Sequence, residues 1–363
     1  MGIVGKYGIR AKVLKKSMSS VTGLVFKTFE VEYPRIILAE LNTHRMLSKN
    51  SASSRAIPFK KMLEQLHGRP VRFGEVNSGM QDKGENYSAS VAIQNNLWAM
   101  FDAYLYDHVP GATLSDCISD DGKRLEVSPE TAWEFNKYLT TSMSEAFYNA
   151  RYHKQVYNRL TESSQMMKTV ISGTEWDNFF WLRDHEAADP TIAELARVMR
   201  EADEETGTGI LRPDEWHLPY ISTYRDGEGT LIYGDWTNEE DPIRGGFIRY
   251  QLDDAIKISC ARCAAVSFRN VDYDLKKSLE VYERLVGDER KHASAFEHCA
   301  TPMKDVQEEL FGAGLVVNSP SFPETWEEGI THMDQQGNLW SGNLKGWRQY
   351  RKLISGENYV GEY

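Results

Sequence analysis

Residues 41–55, "LNTHRMLSKNSASSR", set His44, Arg45 and Arg55 among Asn42, Asn50 and the hydroxyls of Thr43, Ser48, Ser51, Ser53 and Ser54. Guanidiniums suit phosphate or carboxylate oxygens, which they meet in bidentate geometry, while hydroxyls and amides suit the polar edge of a heterocycle. The same residue types also cap their own backbone in turns. On these residues alone two readings stand: an anion-binding loop, and a polar loop that satisfies itself.

Two further clusters carry comparable chemistry. In "SGTEWDNFFWLRDHEAADP" (172–190), Asn178 and Arg183 lie among Phe179, Phe180, Trp181 and Leu182. A guanidinium buried in such surroundings needs an anionic ligand or a carboxylate, and Asp184 or Glu186 could supply the latter as a structural ion pair. In "KHASAFEHCA" (291–300), His292, Ser294, Glu297 and His298 fall close together. Ser294 and Glu297 fit a capping box at a helix start, which leaves both histidines without a structural reason. Cys260 and Cys263 have the spacing of half a zinc site, with His292, His298 or Cys299 as further ligands, although a second regularly spaced pair is absent.

The elements that must position these groups are partly legible. "TGLVFKTFEVEY" (22–33) alternates as a strand, and Pro34 then opens a short helix with Ile37, Leu38 and Leu41 on its buried stripe. Residues 41–55 therefore lie at the end of that helix or in the loop after it. Residues 67–88 are rich in Gly, Asn and charge and read as a loop or insertion, followed by a helix over 89–108. Ser128 and Pro129 start a helix expected to run past Tyr152, and residues 126–205 read as mainly helical. Asp189 and Pro190 repeat that start signal, with Ile192, Leu195, Val198 and Met199 on one face, so Arg183 falls just before a helix N-terminus. Residues 205–246 show little periodicity. "YDLKKSLEVYERLVGD" (273–288) reads as a helix with Leu275, Leu279, Tyr282 and Leu285 on its stripe, stopping at Gly287. Beyond Pro302 the chain is irregular until "LKGWRQYRKLI" (344–354), which reads as a terminal amphipathic helix. Its Arg348, Gln349 and Arg351 are also the residue types that could serve a pocket around Thr43.

The whole chain sets the class. With 363 residues, 41% of them hydrophobic, it can bury a sizeable core, and it has no apolar run long enough to span a bilayer. Its opening, "MGIVGKYGIRAKVLKK", lacks the apolar stretch of a secretory signal and four cysteines are too few for a disulfide scaffold, so a cytoplasmic protein is expected. A net charge of -11 opposes binding along a duplex but leaves room for a local basic pocket that holds a mononucleotide or a cofactor phosphate. There is no tandem repeat and no long low-complexity tract.

Residues 41–55 resemble the signature of the flavin-dependent thymidylate synthases, Arg-His-Arg followed in register by Ser, Asn-Glu, Ser and Arg-Tyr. His44, Arg45, Ser48, Asn50, Ser53 and Arg55 match it. Thr43, Ser51 and Ala56 replace the first Arg, the Glu and the Tyr. "NRLTESSQMMKTVISGTEWDNFFWLRDHEAADPTI" is similar to the family's helical half, in which an Asn meets the flavin and an Arg five residues later grips the uracil; the equivalents are Asn178 and Arg183. Arg159 resembles the arginine that holds the nucleotide phosphate. "ARCAAVSFRNVDYDLKKSLEVYERLVGDERKHASAFEH" is similar to the family's usual amino-terminal segment, an Ala-Arg-Val-Ser-Tyr strand, a helix and a His-x-Ser-Pro-Phe-Glu-His-like turn. Ser267, His292, Ser294 and Glu297 match its flavin-pocket positions, with Ala295 in place of Pro. Here that segment follows the signature instead of preceding it, which implies a permuted or rearranged member and requires the two segments to meet in space.

The resemblance covers about half of the chain and implies an α+β fold, an antiparallel sheet with long helices, as one catalytic domain over 1–363. Its parts would be a strand and signature (1–60), a loop and helix insertion (61–125), a helical half (126–205), a second insertion (206–255), the displaced flavin segment (256–303) and a C-terminal extension (304–363). It implies transfer of a one-carbon unit to C5 of dUMP, with FAD as cofactor, methylenetetrahydrofolate and NADPH as co-substrates, and a homotetramer as the assembly. It also implies His44, Arg45, Asn178, Ser267, His292, Ser294 and Glu297 at the flavin, Ser53, Arg55, Arg159 and Arg183 at the nucleotide, and Arg183 as catalytic. Alternatives on the same scaffold are 5-hydroxymethylation of dUMP and C5 modification of dCMP. A zinc protein, or an inactive nucleotide-binding relative, would be a different class.

Overall fold

A computed structural model describes residues 2–74, 81–84, 90–237, 246–268, 274–287, 291–306 and 317–358. In chain order the first elements are β1 (Ile3–Val4), β2 (Arg10–Ser19), β3 (Val25–Pro34), α1 (Leu38–Asn42), β4 (Ser48–Ser51) and α2 (Phe59–Leu63). There follow β5 (Val91–Ile93), α3 (Trp98–His108), β6 (Leu125–Val127), α4 (Pro129–Asn149), α5 (Lys154–Tyr157), β7 (Met166–Gly173), α6 (Asp177–Arg183) and α7 (Pro190–Glu205). The last part holds β8 (Gly209–Leu211), β9 (Ser222–Arg225), β10 (Leu231–Trp236), β11 (Phe247–Tyr250), α8 (Leu252–Ala265), α9 (Leu275–Gly287), β12 (Ala300–Pro302), β13 (His332–Met333), β14 (Leu339–Ser341), β15 (Leu344–Lys345) and β16 (Trp347–Gln349).

The main sheet runs β1-β2-β3-β7-β4, antiparallel throughout, with β8 added parallel to β2. Alternation decides which residues face which layer. From β3, Phe29, Val31 and Tyr33 point to the side covered by α6 and α7, where they join Ile192, Leu195, Val198, Met199, Trp176 and Phe179 in one core. From β7, Ile171 joins that core, whereas its neighbour Val170 packs on the opposite side with Cys263, Val266 and Ala295. The sheet is thus covered on both faces, by α6 and α7 on one and by α8 with the turn at 293–298 on the other.

Several expectations hold. The strand at 22–33 is β3, and the short helix after Pro34 buries Ile37 and Leu41. Ser128 caps α4 by accepting from the Thr131 backbone N–H at 3.1 Å, and Asp189 caps α7 by accepting from Thr191 at 2.8 Å and Ile192 at 3.3 Å. Others need correction. Residues 126–205 are not mainly helical, because Met166–Gly173 is a central strand; its apolar, partly β-branched run is paired by β3 on one edge and β4 on the other and so is buried on both faces. α4 ends at Asn149, short of Tyr152. The helix expected over 89–108 is a strand, a 3-10 turn and then α3, with residues 85–89 outside the described ones. Residues 75–80, in the expected loop, also lie outside them, as do Tyr273 and residues 269–272 and 288–290 around α9. On α9 itself Leu275 is exposed, and Ser278 and Tyr282 take the buried side. The Ala-Arg-Val-Ser-Tyr-like stretch is the end of α8 and a 3-10 turn over 266–268, not a strand. The C-terminal element is a set of short strands and a 3-10 turn instead of a helix: β16 pairs with β12, while β13, β14 and β15 form hairpins. Among the described residues no helix is long and apolar enough to cross a membrane.

Candidate functional site

Helix α1 ends at Asn42, the chain turns over 43–47, and β4 then lies along the edge of the sheet against β7, with Asn50 opposite Val170. Part of the polarity of 41–55 is spent locally. Thr43 Oγ1 donates to the Glu40 carbonyl at 2.6 Å, and the Lys49 ammonium donates to the carbonyls of His44 at 2.5 Å and Leu47 at 3.0 Å. The rest reaches other segments, and because a strand alternates, it reaches them on two different faces.

On the face of α6 and α7, His44 is buried against Phe179, ring edge to ring face, with centroids 5.0 Å apart. Arg183, the last residue of α6, donates from Nε to His44 Nε2 at 2.9 Å and from its NH2 group to Thr43 Oγ1 at 3.3 Å. An Nε2 that accepts leaves the ring proton on Nδ1, so this imidazole is neutral. Burial, and then the cations Arg183 and Lys49, hold its pKa down to about 4. Burial likewise lowers the Lys49 ammonium to about 8, with Glu297 pulling the other way. The carboxylate near Arg183 is Glu40, at 3.6 Å, and neither Asp184 nor Glu186; Asp184 pairs with Arg200 at 2.8 Å. Asn178 and Arg45 are exposed on this side.

On the opposite face Asn50 Nδ2 donates to the Cys263 carbonyl at 2.5 Å, the Ser53 amide donates to the Ser267 carbonyl at 3.1 Å, and Ser267 Oγ donates to the Ser51 carbonyl at 3.4 Å. These bonds join the stretch at 41–55 to the segment at 256–300, more than 200 positions away in sequence. Between them opens a cavity of about 570 Å³. Asn50, Ser53, Ser267 and Ser294 supply hydroxyls and an amide to its wall; Phe268, Val281, Leu285 and four alanines supply apolar surface; Arg55, His153, Lys154 and His292 supply basic groups. No described residue lining it is Asp or Glu, in a chain with 53 acidic residues against 42 basic ones.

The cavity therefore gathers Ser53, Arg55, Ser267, His292 and Ser294. It does not gather His44, Arg45, Asn178 or Arg183, which sit across the sheet, nor Arg159, which is exposed beyond α5. Glu297 turns from the cavity to Arg351, with which it forms an ion pair, and Arg351 is held in addition by Glu357 at 2.6 Å. Ser294 and Glu297 thus form no capping box; Ser294 Oγ lies 3.5 Å from Asn50 Oδ1. Arg348 pairs with Asp214 at 3.0 Å, so the C-terminal arginines are engaged elsewhere than around Thr43. That segment nonetheless touches the 43–48 turn through Asn343, whose Nδ2 donates to the Met46 carbonyl and to Ser48 Oγ, both at 3.0 Å.

The thiols and histidine of the zinc reading are used differently. Cys260 Sγ lies 3.6 Å from Cys299 Sγ, burial pushes the Cys260 and Cys263 thiols well above their ordinary range, and His298 Nδ1 shares a hydrogen bond with Ser172 Oγ at 2.8 Å. Among the described residues no group of three or more His, Cys, Asp or Glu is placed to hold a metal ion. His153, Lys154, Phe268 and Val281 line the cavity without having stood out in the sequence, and Leu285, expected only on the buried stripe of its helix, lines it too. For Val281 and Leu285 a signal existed, their i, i+4 spacing on α9; His153 and Lys154 follow a turn with no motif of their own.

No protein-family model matches this chain, and no curated protein matches it in sequence. Among solved structures, the UMP/dUMP methylase PolB from Streptomyces cacaoi, bound with 5-Br dUMP, is similar over 56% of this chain and 91% of its own, at 11% identity and a TM-score of 0.34. Thymidylate synthase ThyX from Helicobacter pylori, with FAD and dUMP, is similar in two structures over 49% of this chain and 67% of its own, at 16% identity and a TM-score of 0.28. Both likenesses are remote.

Proposed function

We propose that this chain is a flavin-dependent enzyme that modifies C5 of a pyrimidine deoxynucleotide, dUMP first, in the manner of the thymidylate synthases its motifs resemble. The observation that carries this reading is the cavity, with no Asp or Glu among its described lining residues, assembled by the two separated segments that carry the resemblance. Its composition, an apolar wall with hydroxyl, amide and cationic groups around it, suits a flat heterocycle that bears phosphate. The meeting of 41–55 with 256–300 is what a rearranged order within one catalytic domain requires.

FAD fits this donor set. Asn50, Ser267, His292 and Ser294 would hold it, the hydroxyls and amide toward its polar edges and Phe268, Val281 and Leu285 against its rings. When bound, FAD supplies the reducing equivalents, replenished by NADPH, and methylenetetrahydrofolate supplies the carbon. The chain's own part is to bind, orient and exclude water. Arg183 has the permanent, bidentate charge needed to stabilise negative charge on the carbonyl and N3 edge of a uracil made nucleophilic at C5. His44 accepts from its Nε and fixes the plane of the guanidinium.

Within one chain Arg183 and the cavity lie on opposite faces of the sheet, so we propose a homo-oligomer in which a second copy brings its His44, Arg45, Asn178 and Arg183 to the cavity of the first. The test is direct. Purified protein loaded with FAD is expected to oxidise NADPH in a dUMP-dependent way, and Arg183→Ala is expected to keep its flavin and lose most turnover. Near-normal turnover in that variant would remove Arg183 from the mechanism. Mass spectrometry of the products from dUMP and from dCMP separates methylation from hydroxymethylation and one base from the other.

A further inference from the structure

The turn at 43–47 carries Thr43 and His44, whose side chains meet the Arg183 guanidinium. Its own main-chain bonds are short-range: the amides of His44, Arg45 and Leu47 donate to the carbonyls of Leu41, Thr43 and His44 at 3.3, 3.0 and 3.3 Å. Among the described residues β4, which follows, pairs with β7 alone, so no strand flanks its other edge. Support comes from Asn343, 297 positions away from Met46, whose Nδ2 donates to the Met46 carbonyl and to Ser48 Oγ. Asn343 stands at the tip of the β14–β15 hairpin, where Gly342, with a φ of 61°, lets the chain reverse in two residues. The hairpin is anchored. The Lys345 amide donates to Thr174 Oγ1 at 3.1 Å, the Gln349 amide donates to Ser341 Oγ at 3.0 Å, and Trp347 is fully buried. Gln349, itself buried, donates from Nε2 to Asn343 Oδ1 at 2.9 Å. With its oxygen so occupied, the Asn343 amide aims its NH2 group at the turn.

We propose that Asn343, oriented by Gln349, is a positioning residue for Arg183. Asn343 fixes the turn, the turn fixes His44, and His44 Nε2 fixes the plane of the guanidinium. A guanidinium that stabilises developing charge works only in the right orientation, and a displacement of about 1 Å costs up to about a hundredfold in rate. Asn343 and Gln349 lie outside every segment that carries the resemblance, so the C-terminal part of the chain gains a role in the reaction. The inference rests on the reading of Arg183 as the group that stabilises the uracil, and adds what holds it in place.

Two variants of the full chain test this. Asn343→Leu removes donor and acceptor at similar size, and Asn343→Asp keeps the shape and removes the donor to Met46. NMR of nitrogen-labelled histidine at pH 7 reports the tautomer of His44, whose signals are identified by their loss in His44→Gln. In the wild type the ring proton sits on Nδ1, because Nε2 accepts from Arg183. In both variants, as in Arg183→Ala, a large share of the ring is expected in the Nε2–H form. A second arm measures turnover of dUMP by the FAD-loaded protein. Both variants are expected to lose about tenfold in kcat, with KM for dUMP within about twofold of the wild type. That loss is expected to vanish in an Arg183→Lys background, which keeps a charge without the Nε–H that His44 receives, as for two residues acting through one contact. A wild-type tautomer in both variants, an unchanged kcat, or the same loss with and without Arg183 would overturn the positioning role. If the wild type itself leaves dUMP unchanged, the proposed function falls, and the tautomer alone decides whether Asn343 sets the contact between Arg183 and His44.

Discussion

Acid should destabilise this protein through His298 in a way that one substitution isolates. A buried chain of polar groups crosses the sheet. Ser17 Oγ and His217 Nδ1 are 3.0 Å apart, His217 Nε2 and Thr28 Oγ1 2.9 Å, Thr28 Oγ1 and Ser172 Oγ 2.7 Å, and Ser172 Oγ and His298 Nδ1 2.8 Å. Both histidines are fully buried. Burial holds His298 at about 4, with Glu297 pulling the other way, against an ordinary value of 6.5. The folded state therefore refuses a proton that the unfolded state takes, and the contribution to stability is present above pH 6.5 and lost as the pH falls toward 4. At 1.36 kcal/mol for each tenfold change in proton affinity, the full loss is about 3 kcal/mol, with a slope approaching about 1.4 kcal/mol per pH unit. Urea unfolding at several pH values between 7 and 4.5 compares the wild type with His298→Leu. The leucine ends the titration, and Ser172 keeps its bond to Thr28. At pH 7 the variant should be less stable by about 1–2 kcal/mol for the lost hydrogen bond, and because the wild type alone loses about 2 kcal/mol by pH 4.5 the two curves should converge and then meet or cross as the pH falls. His217 and the carboxylates are present in both proteins and cancel. A difference between the two proteins that stays constant from pH 7 to 4.5 would refute the reasoning.

Two predictions concern the supports of the site. Asn343→Ala removes the donor to Met46 and Ser48; hydrogen exchange is expected to quicken at residues 44–48 and stability to fall by about 1–3 kcal/mol, both readable in one exchange and denaturation series. Asp189→Ala removes the cap of α7 and should cost about 1 kcal/mol in urea unfolding while ligand affinity is unchanged, since α7 lies across the sheet from the cavity.

Local chemistry made some of this protein legible. Ser128 with Pro129 and Asp189 with Pro190 announce two helices because the cap and the fixed proline φ act within a few residues. Met166–Gly173 was not legible as a strand, since a short apolar run between helical signals has no periodicity to tell strand from helix, and only its two neighbouring strands decide it. The partner of Arg183 was not legible either: nearby Asp184 is drawn to Arg200, and the distant Glu40 takes its place. Lys154 carries no local signal at all, for its partner is a backbone carbonyl 98 positions away.

By itself the sequence determined which residues are chemically unusual: a cationic, hydroxyl-rich stretch at 41–55, an arginine among aromatics at 183, and two histidines around Ser294 and Glu297. Only the tertiary structure decided how these are divided. β4 pairs with β7 in a register that sends Lys49 toward His44 and Asn50 toward Cys263, because successive residues of a strand point to opposite faces. A pairing shifted by one residue would exchange the two sets. The division into an arginine face and a cavity face is therefore a property of strand register, set by contacts between segments that the sequence holds more than 100 residues apart.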